Sequence, residues 1–583
     1  MKFLKNFAPS RFLILQILIA ILCFLVCSSF NYEIIDPRNF SWFLKSTVTN
    51  DIQTHWISWE FFRHTEFFQF PFLINPQYGA GLNLSIFHTD SIPLVAFLLR
   101  MFDQFLPSDF QYFGIWALLS FFLMIYFSTR LMNIFVENKT LSLIFSIFFT
   151  ISPLFISRIF FQQAVGSHWI IVAALYLYYK DNASYLKWNI LLIGTLLING
   201  YLAAMVLSIF VASVFKRYST KTDYNLNHIY NFIFTFLLIL LSAYLFGLFS
   251  IGKGIKEGGF DIYGTSLLAF FNPLSPIGFQ TVSDTISTYS IVLSTITSPF
   301  VDFASWRGEM KEVEGFSFLG TSIVIFLILI LINFKKASNF FKSHQRHMPI
   351  LILALLLFVY SLSGNIYLGS TKIIEYSVPG IFEPLVGIFR ACGRFNWVLY
   401  YLIVFFILIR LSECLRPKIL YIALPFFLLF QVVDSSKIIK INQNELKSIP
   451  MYKEFDGGLN KIKLKNPMWQ NFKSKYNKIR MYPIKNKPRD YIKLAYFAST
   501  NKISTNFGYF SRVNHTTEDI LNKKLFEELK NNNLSKETIY IINNDDVWEL
   551  VQKNKTEKNF VGILDGFRVL ALMSQLNIYN QIK

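Results

Sequence analysis

The pattern of apolar positions divides the chain into a long oily region and a polar tail. Apolar runs of roughly 17 to 25 residues are long enough to cross a bilayer as helices. About eleven such runs, some of them shorter, precede residue 436, which predicts an all-α polytopic membrane domain over residues 1–435. The runs cover residues 12–30, 110–129, 140–157, 168–179, 188–199, 201–215, 228–250, 316–334, 348–363, 395–412 and 419–434.

Two adjoining runs raise the question of one helix or two. Residues 188–215 are long enough for a single tilted helix. However, Asn199-Gly200 is typical of a helix break, and Lys187 and Lys216 stand at the two ends like a pair of anchors. We therefore expect two short helices.

The basic residues indicate an orientation. With the N-terminus in the cytoplasm, the inner connections hold 17 Lys or Arg against four Asp or Glu, as the positive-inside rule requires. This layout puts the loops 31–109, 251–315 and 364–394, together with the tail, on the outer face of a cytoplasmic (inner) membrane. The first run lacks a small-residue cleavage site, so we expect it to be an uncleaved signal anchor.

The tail has a different pattern. Short β-like runs at 478–482, 538–542, 560–564 and 567–571 alternate with helical stretches near 490–500 and 516–531. Residues 436–583 are therefore predicted to form a small extracytoplasmic α/β domain.

Composition and charge narrow the function classes. A mean hydropathy of +0.41 and 53% hydrophobic residues exclude an ordinary soluble protein. Residues 436–583 carry 26 Lys or Arg against 14 Asp or Glu, a surplus that suits membrane lipid headgroups or an acidic glycan, or serves solubility alone. There is no dense basic and aromatic motif, so nucleic acid is excluded as a partner.

The most informative polar stretch is Asp51 to His64, because ionisable groups are rarely kept beside a bilayer without a use. As a helix it would bring Asp51, His55 and Ser58 to one face, and its oily face would lie on the membrane. A partly desolvated Asp51 would act as a base on a hydroxyl group. The alternative is that Asp51 caps the helix and His55 only packs.

A second polar cluster runs from Ser85 to Pro93. Asp90 is a candidate for a second site carboxylate, and His88 with Asp90 would contact a divalent cation, Mg²⁺ or Mn²⁺. No ligand set is determined by spacing, so no metal ligand is assigned, and whether a divalent cation is needed stays open. Capping of the helix that follows Pro93 explains the same residues without a function.

Further candidates stand at the outer ends of the runs. His168 follows Arg158, and Arg390 and Arg394 flank Cys392-Gly393. An arginine fork binds phosphate bidentately, and a glycine between two arginines allows a headgroup to approach; interfacial anchoring is the alternative. Arg63 is a further phosphate candidate, and Glu314 either binds substrate or only begins a helix.

Several stretches together resemble the GT-C superfamily of integral-membrane glycosyltransferases and, within it, a poorly characterised bacterial family of membrane glycosyltransferases. They are Asp51-x-x-x-His55-x-x-x-Trp59-x-Phe-Phe-Arg63, Phe70-Pro71-x-x-x-Asn75-Pro76-x-Tyr78-Gly79, His88-Thr-Asp90-Ser-Ile-Pro93, Phe110-Gln-Tyr-Phe-Gly114, Glu314-Gly-Phe-x-x-Leu-Gly320, Asn506-x-Gly508-Tyr-x-x-Arg512 and Asp565-Gly566.

The resemblance implies a polyprenyl-phosphate sugar donor, transfer on the outer face and a catalytic acid in the first outer loop, where Asp51 matches. The paired acids found in a second loop of many members are missing here, so Asp90 or Glu314 would have to substitute. We expect inverting hexosyl or pentosyl transfer to a hydroxyl on a lipid, glycan or protein. The alternatives are a transporter or flippase of lipid-linked glycans and a non-catalytic cell-envelope scaffold.

Overall fold

The computed structural model describes residues 11–45, 51–180, 183–219, 226–252, 258–275, 287–297, 314–332, 345–369, 371–448 and 457–572. The chain forms two compact units. Unit 1 comprises Met1–Thr49, Gln111–Ile239 and Glu257–Pro450, and unit 2 comprises Asn50–Phe110, Leu240–Lys256 and Met451–Lys583. Residues 253–257, 276–286 and 298–313 of the predicted loop 251–315 lie outside the described residues.

The regular elements are numbered along the chain. The helices are α1 (Arg11–Cys27), α2 (Ser41–Lys45), α3 (Asp51–Phe62), α4 (Pro93–Arg100), α5 (Phe113–Met132), α6 (Lys139–Thr150), α7 (Pro153–Ile159), α8 (Trp169–Tyr179), α9 (Tyr185–Leu196), α10 (Gly200–Ser219), α11 (Leu226–Leu245), α12 (Ile291–Thr297), α13 (Thr321–Ile332), α14 (Met348–Ser361), α15 (Glu383–Ile388), α16 (Trp397–Cys414), α17 (Pro417–Asp434), α18 (Ser436–Leu446), α19 (Met468–Lys473), α20 (Tyr491–Thr500), α21 (His515–Lys530) and α22 (Asp545–Lys553). The strands are β1 (Leu274–Ser275), β2 (Ser287–Thr288), β3 (Asn365–Leu368), β4 (Thr371–Glu375), β5 (Lys478–Tyr482), β6 (Ser504–Thr505), β7 (Thr538–Ile542), β8 (Asn559–Leu564) and β9 (Phe567–Leu572).

Each of the eleven apolar runs overlaps a helix, which confirms a mostly helical membrane-type region. Within the described residues, five helices are long and apolar enough to cross a bilayer, and α6 with α7, bent by 56°, makes a sixth if counted as one. Four more apolar helices are shorter. The number of eleven crossings stays a prediction.

The break predicted at Asn199-Gly200 is present. Helix α9 ends at Leu196 and α10 begins at Gly200. The side-chain oxygen of Asn199 accepts hydrogen bonds from the backbone N–H groups of Tyr201 and Leu202, at 3.0 and 3.3 Å, so it satisfies two donors that a new helix leaves open.

Helix α1 illustrates how unit 1 presents apolar surface outward. Its buried residues, among them Ala20 and Phe24, form one stripe, and Phe24 meets Phe121 of α5 edge to face at 5.6 Å. On the other side Leu18 and Leu22 are each 57% exposed. A helix that is apolar on its exposed face suits a hydrocarbon environment, because water would penalise that surface.

Unit 2 contains the α/β fold predicted for the tail. Its five-stranded sheet has the order β6-β5-β7-β9-β8, with β5 parallel to β6 and β7, and β9 antiparallel to β7 and β8. Asp565 and Gly566 join β8 to β9, and both have positive φ, 48° and 84°. Two such residues favour the tight hairpin turn that matches strand twist.

The segment 51–110 packs with this sheet inside unit 2. The backbone N–H of Ala80 donates to the Thr505 carbonyl at 2.6 Å, and the N–H of Thr505 donates to the Gln77 carbonyl at 2.8 Å. These bonds cover the open side of the edge strand β6. Unit 2 is therefore assembled from chain segments more than 400 residues apart, as Gln77 and Thr505 are.

Candidate functional site

Helix α3 forms as predicted, but it does not present an apolar face to a membrane surface. All its residues from Thr54 to Phe62 are buried. Trp56 packs against the Tyr496 ring of α20 at 5.6 Å, and the hydroxyl groups of Thr54 and Tyr491 lie 2.6 Å apart. The apolar side chains of α3 are thus covered by protein, which corrects the expectation of an interfacial helix.

The polar cluster that follows Ser85 forms a short 3₁₀ helix, Ile86–Thr89. The Ser85 N–H donates to Nδ1 of His88 at 3.0 Å, so His88 closes a capping box. Burial lowers the pKa of His88 to about 4. A buried neutral imidazole that accepts a backbone hydrogen bond has a structural task here, in contrast to the expected substrate contact.

Hydrogen bonds of the Thr89 and Ser91 hydroxyl groups connect this segment to α3. The Ser91 hydroxyl donates to the His55 carbonyl at 2.8 Å, and the hydroxyl groups of Thr89 and Ser58 are 2.8 Å apart. Asp90 lies between Thr89 and Ser91 in the chain, and it is near enough to His55 for its charge to affect the pKa of that residue. The structure therefore brings together Asp51, His55 and Asp90, the three residues predicted to be catalytic.

The protonation state of His55 follows from its surroundings. Burial lowers its pKa below the ordinary value, and the negative charges of Asp90 and Asp51 oppose that effect without cancelling it. The imidazole is 5% exposed, whereas both carboxyl groups are only partly buried. A neutral imidazole beside two carboxylates can orient a hydroxyl group and pass on a proton. The residues 46–50, which would show whether Asp51 also follows a cap, lie outside the described residues.

The backbone beside Asp90 is strained. Asp90 and Ile92 both have φ of 51°, in the left-handed region. Ile92 is β-branched, and such a residue in this region costs on the order of 1–3 kcal/mol. Strain of this kind is kept where the position of a side chain matters, so it marks the Asp90 turn as a functional candidate.

Arg63 follows directly after the end of α3. It lies 12 positions after Asp51, about 18 Å along a helix. Its Nε donates to Asp103 at 2.5 Å, and its Nη1 and Nη2 donate to the carbonyls of Ser108 and Pro107 at 2.9 and 2.8 Å. Arg63 therefore anchors the segment 103–108 to the helix, and the expected phosphate contact is replaced by protein contacts.

Metal binding has little support in the donor set. Within the described part of the chain, no three His, Cys, Asp or Glu side chains are grouped closely enough to hold an ion. Asp51 and Asp90 would supply two carboxylates, so Mg²⁺ or Mn²⁺ would take the rest of its ligands from water or from a substrate phosphate.

Unit 1 contains a buried ion cluster formed by Arg158, Glu314 and Arg394. Nε and Nη2 of Arg394 donate to the two oxygens of Glu314 at 2.8 and 3.0 Å, a bidentate pair, and Nη2 of Arg158 lies 3.3 Å from Glu314 Oε2. Burial by itself would raise the pKa of Glu314. The charges of Arg394 and Arg158 outweigh it and lower that pKa to about 2.

Backbone packing explains the glycine between the two arginines. A Cβ on Gly393 would lie 2.7 Å from the Gly315 Cα atom and 2.7 Å from the Tyr263 carbonyl. The N–H of Gly393 also donates to that carbonyl at 2.9 Å. Gly393 is thus needed for close contact between chain segments, which corrects the expectation that it admits a headgroup.

Two further predicted residues of unit 1 differ in exposure. His168 is fully buried, its Nδ1 is 3.0 Å from the Tyr401 hydroxyl, and its ring lies 4.4 Å from Trp397. It is therefore a packing residue of the core, and the expected substrate contact is unavailable to it. Arg390 is only partly buried, and its guanidinium carbon lies 5.9 Å from the Tyr263 ring. Of the predicted phosphate-binding arginines, Arg390 is the more accessible to a ligand.

In the tail, three residues of the motifs that carry the GT-C resemblance make contacts within the fold. Asn506 exchanges two hydrogen bonds with the Met481 backbone, at 2.8 and 3.1 Å. A Cβ on Gly508 would lie 2.5 Å from the Tyr78 ring, so glycine allows that ring to pack. Asp565 accepts from Trp469 at 2.9 Å. One residue that the sequence pattern did not single out is Tyr491, whose contact with Thr54 joins segments 437 positions apart.

Together, the apolar helices of unit 1 and the α/β fold of unit 2 define the class: a helical membrane-type protein with a small C-terminal sheet domain. The chain belongs to the DUF6311 family, described as a domain of unknown function, whose profile matches residues 17–436; the profile of the DUF6311 C-terminal domain matches residues 468–572.

Two other comparisons complete the picture. No curated protein matches the chain in sequence. Among solved structures, the chain is similar to the Archaeoglobus fulgidus oligosaccharyltransferase in the apo form, with 10% sequence identity and a TM-score of 0.40; the match covers 88% of this chain and 70% of that chain. At that TM-score the two backbones share too little for properties to be carried from one to the other.

Proposed function

We propose that this protein is an inverting membrane glycosyltransferase that moves a sugar from a polyprenyl-phosphate carrier to a hydroxyl group on a lipid, glycan or protein. The reaction would take place at the outer face of the cytoplasmic membrane, where the tail is expected. One observation carries the proposal: in unit 2 a buried His55 lies close enough to Asp51 and Asp90 for both charges to act on its pKa, and Ser91 next to Asp90 is hydrogen-bonded to the His55 carbonyl. The likeness of the sequence motifs to GT-C enzymes is consistent with it.

The chemistry assigns one task to each of the three residues. The Asp51 carboxylate accepts the proton of the acceptor hydroxyl while that oxygen attacks the anomeric carbon of the donor sugar. The bond between the anomeric carbon and the phosphate oxygen breaks, and the polyprenyl phosphate leaves with the bonding electrons. Because attack and departure occur on opposite faces, the configuration inverts. His55 and Asp90 orient the hydroxyl by hydrogen bonds.

The leaving phosphate gains negative charge in the transition state, and a preorganised hydrogen-bond donor or positive charge at the leaving oxygen would stabilise it. One preorganised contact of this kind is typically worth about 2.7–4 kcal/mol.

The test is transfer from a labelled lipid-linked sugar in membranes that contain the protein. We expect Asp51→Asn to lower turnover by roughly a hundred- to a thousandfold. The matched control is Asp519→Asn, because Asp519 is an exposed acid on α21.

Two results would oppose the proposal. Transfer by Asp51→Asn at the wild-type rate would remove Asp51 from the mechanism. Movement of the labelled lipid across a vesicle membrane without any transferred product would favour the flippase alternative instead.

A further inference from the structure

We infer that unit 2 contains a second binding site, for an anionic monosaccharide, in a cleft between α21 and the start of β5. The cleft has a volume of about 280 Å³. That volume is near the lower limit of about 300 Å³ for small-molecule sites, so it suits one sugar ring with its charged substituent. Its polar lining includes Lys478, Arg480, Lys524, Glu528, Ser535 and Thr538.

The first argument is that the side chains on one face of the sheet change from apolar at β7 to basic at β5. Register pairs Arg480 with Tyr540, and Tyr482 with Ile542, so these side chains share the face of the sheet on which α21 packs. At β7 this face is apolar, and Tyr540 and Ile542 pack with Leu525 in the core. At β5 the same face has Lys478 and Arg480, where continued apolar packing would have been the stable choice.

The second argument is the way Arg480 is held. Its Nη1 donates to the carbonyls of Ile479 and Ser504 at 3.1 and 3.0 Å, and its Nη2 lies 3.2 Å from the Ser504 hydroxyl. These bonds immobilise the guanidinium plane. No acceptor for its Nε is found in the described ranges, so this N–H remains for a ligand. A preorganised guanidinium of this kind binds carboxylate or phosphate with little loss of side-chain entropy.

The third argument is the charge balance around the cleft. The cleft is lined by Lys478, Arg480 and Lys524 and by one acid, Glu528. Lys478 also pairs with Glu537 at 3.2 Å, so it is the charges of Arg480 and Lys524 that face Glu528. Burial lowers the pKa of Arg480, and the neighbouring Tyr540 and Glu528 oppose that change. The hydroxyl groups of Ser535 and Thr538 are neutral partners suited to sugar hydroxyls. An anionic sugar, with either a phosphate or a carboxylate, matches this combination.

This site is independent of the proposed catalysis, because none of its residues belongs to the Asp51, His55 and Asp90 set. Binding can therefore be measured without a lipid-linked donor and without turnover. The probes are glucose 1-phosphate, glucuronic acid and uncharged glucose, titrated into the purified full-length protein in detergent by calorimetry. The stronger of the two charged probes identifies the anion.

We expect at least one charged probe to bind at least about tenfold more tightly than glucose. Loss of a hydrogen bond to a charged group typically costs about 1.5–3 kcal/mol, or about 10- to 150-fold in affinity. Lys524→Ala should weaken binding by about that factor. Lys523→Ala is the matched control, since its side chain is exposed on the same helix and does not line the cleft.

Arg480→Met should abolish preferential binding of the charged sugar. Because this change also removes the hydrogen bonds to Ser504 in the edge strand β6, the melting temperature of the variant is measured as well. Lys524 is exposed and makes no such bonds, so Lys524→Ala decides the matter even if Arg480→Met unfolds. The inference is overturned if glucose binds as tightly as both charged probes, if no charged probe binds, or if Lys524→Ala binds like the wild type.

Discussion

Replacing Glu314 by glutamine should destabilise unit 1 strongly, because the change removes the buried carboxylate that Arg394 and Arg158 share. Glu314, Arg394 and Arg158 are 9%, 8% and 6% exposed. Glutamine keeps the size of the side chain and removes its charge, so the two buried guanidiniums would lose the carboxylate that they share. Breaking a buried pair in this way typically costs about 3–5 kcal/mol.

The pKa of Glu314 gives a separate value for the contribution of this carboxylate to the free energy of unfolding. A displacement from the ordinary 4.5 to about 2 corresponds to about 3 kcal/mol in favour of the ionised, folded form. Since the folded pKa is below the unfolded one, this stabilisation is complete above about pH 4.5 and is lost as the pH falls through about 2. At neutral pH we therefore expect Glu314→Gln to lower the free energy of unfolding by about 3 kcal/mol.

The assay is reversible unfolding in mixed detergent and SDS micelles, followed by tryptophan fluorescence. Glu375→Gln is the matched control, because Glu375 pairs with Lys372 and their side chains are 65% and 43% exposed. Exposed pairs contribute about 0–1 kcal/mol, so the control should change little. Equal effects of the two substitutions, or a loss below about 1 kcal/mol for Glu314→Gln, would refute the reasoning. A double variant with Arg394→Met should lose less than the sum of its parts.

The remaining predictions concern unit 2. The folded pKa of His88, about 4, is below the ordinary 6.5, so stability should be full above about pH 6.5 and fall by about 3 kcal/mol towards pH 4, a decline that His88→Asn should abolish in pH-dependent melting curves. Tyr491→Phe should cost about 1–2 kcal/mol through the lost contact with Thr54, and Thr54→Val should add little to it; fully additive losses would contradict this contact.

Local periodicity was sufficient for the elements of this fold. The strands at Lys478–Tyr482 and Thr538–Ile542 were predicted with their observed bounds, and α3 covers Asp51–Phe62 of the stretch 51–64 that was considered as a helix. These elements depend on alternation and helical spacing within a few residues, which a sequence displays directly. The tight hairpin at Asp565-Gly566 likewise follows from residue types that tolerate positive φ.

Contacts between segments that are far apart in the sequence could not be predicted from local periodicity. The pairing of Glu314 with Arg394 joins residues 80 positions apart, and nothing in either motif indicates that the carboxylate occupies the arginine fork. The covering of α3 by α20 is a similar case, because the apolar positions of α3 suit lipid and protein equally well. Arg63 and His168 were misjudged for the same reason: their partners, Asp103 and Tyr401, are found only once the chain is folded.

The central claim is that Asp51 activates a hydroxyl group for inverting sugar transfer. The most direct measurement is proton NMR of the glycosidic product made by the purified protein, which gives the anomeric configuration of the transferred sugar. The account predicts a product of opposite configuration to the donor with the wild type and no detectable product over the same period with Asp51→Asn. A product of retained configuration, or the same product formed equally fast by Asp51→Asn, would contradict it.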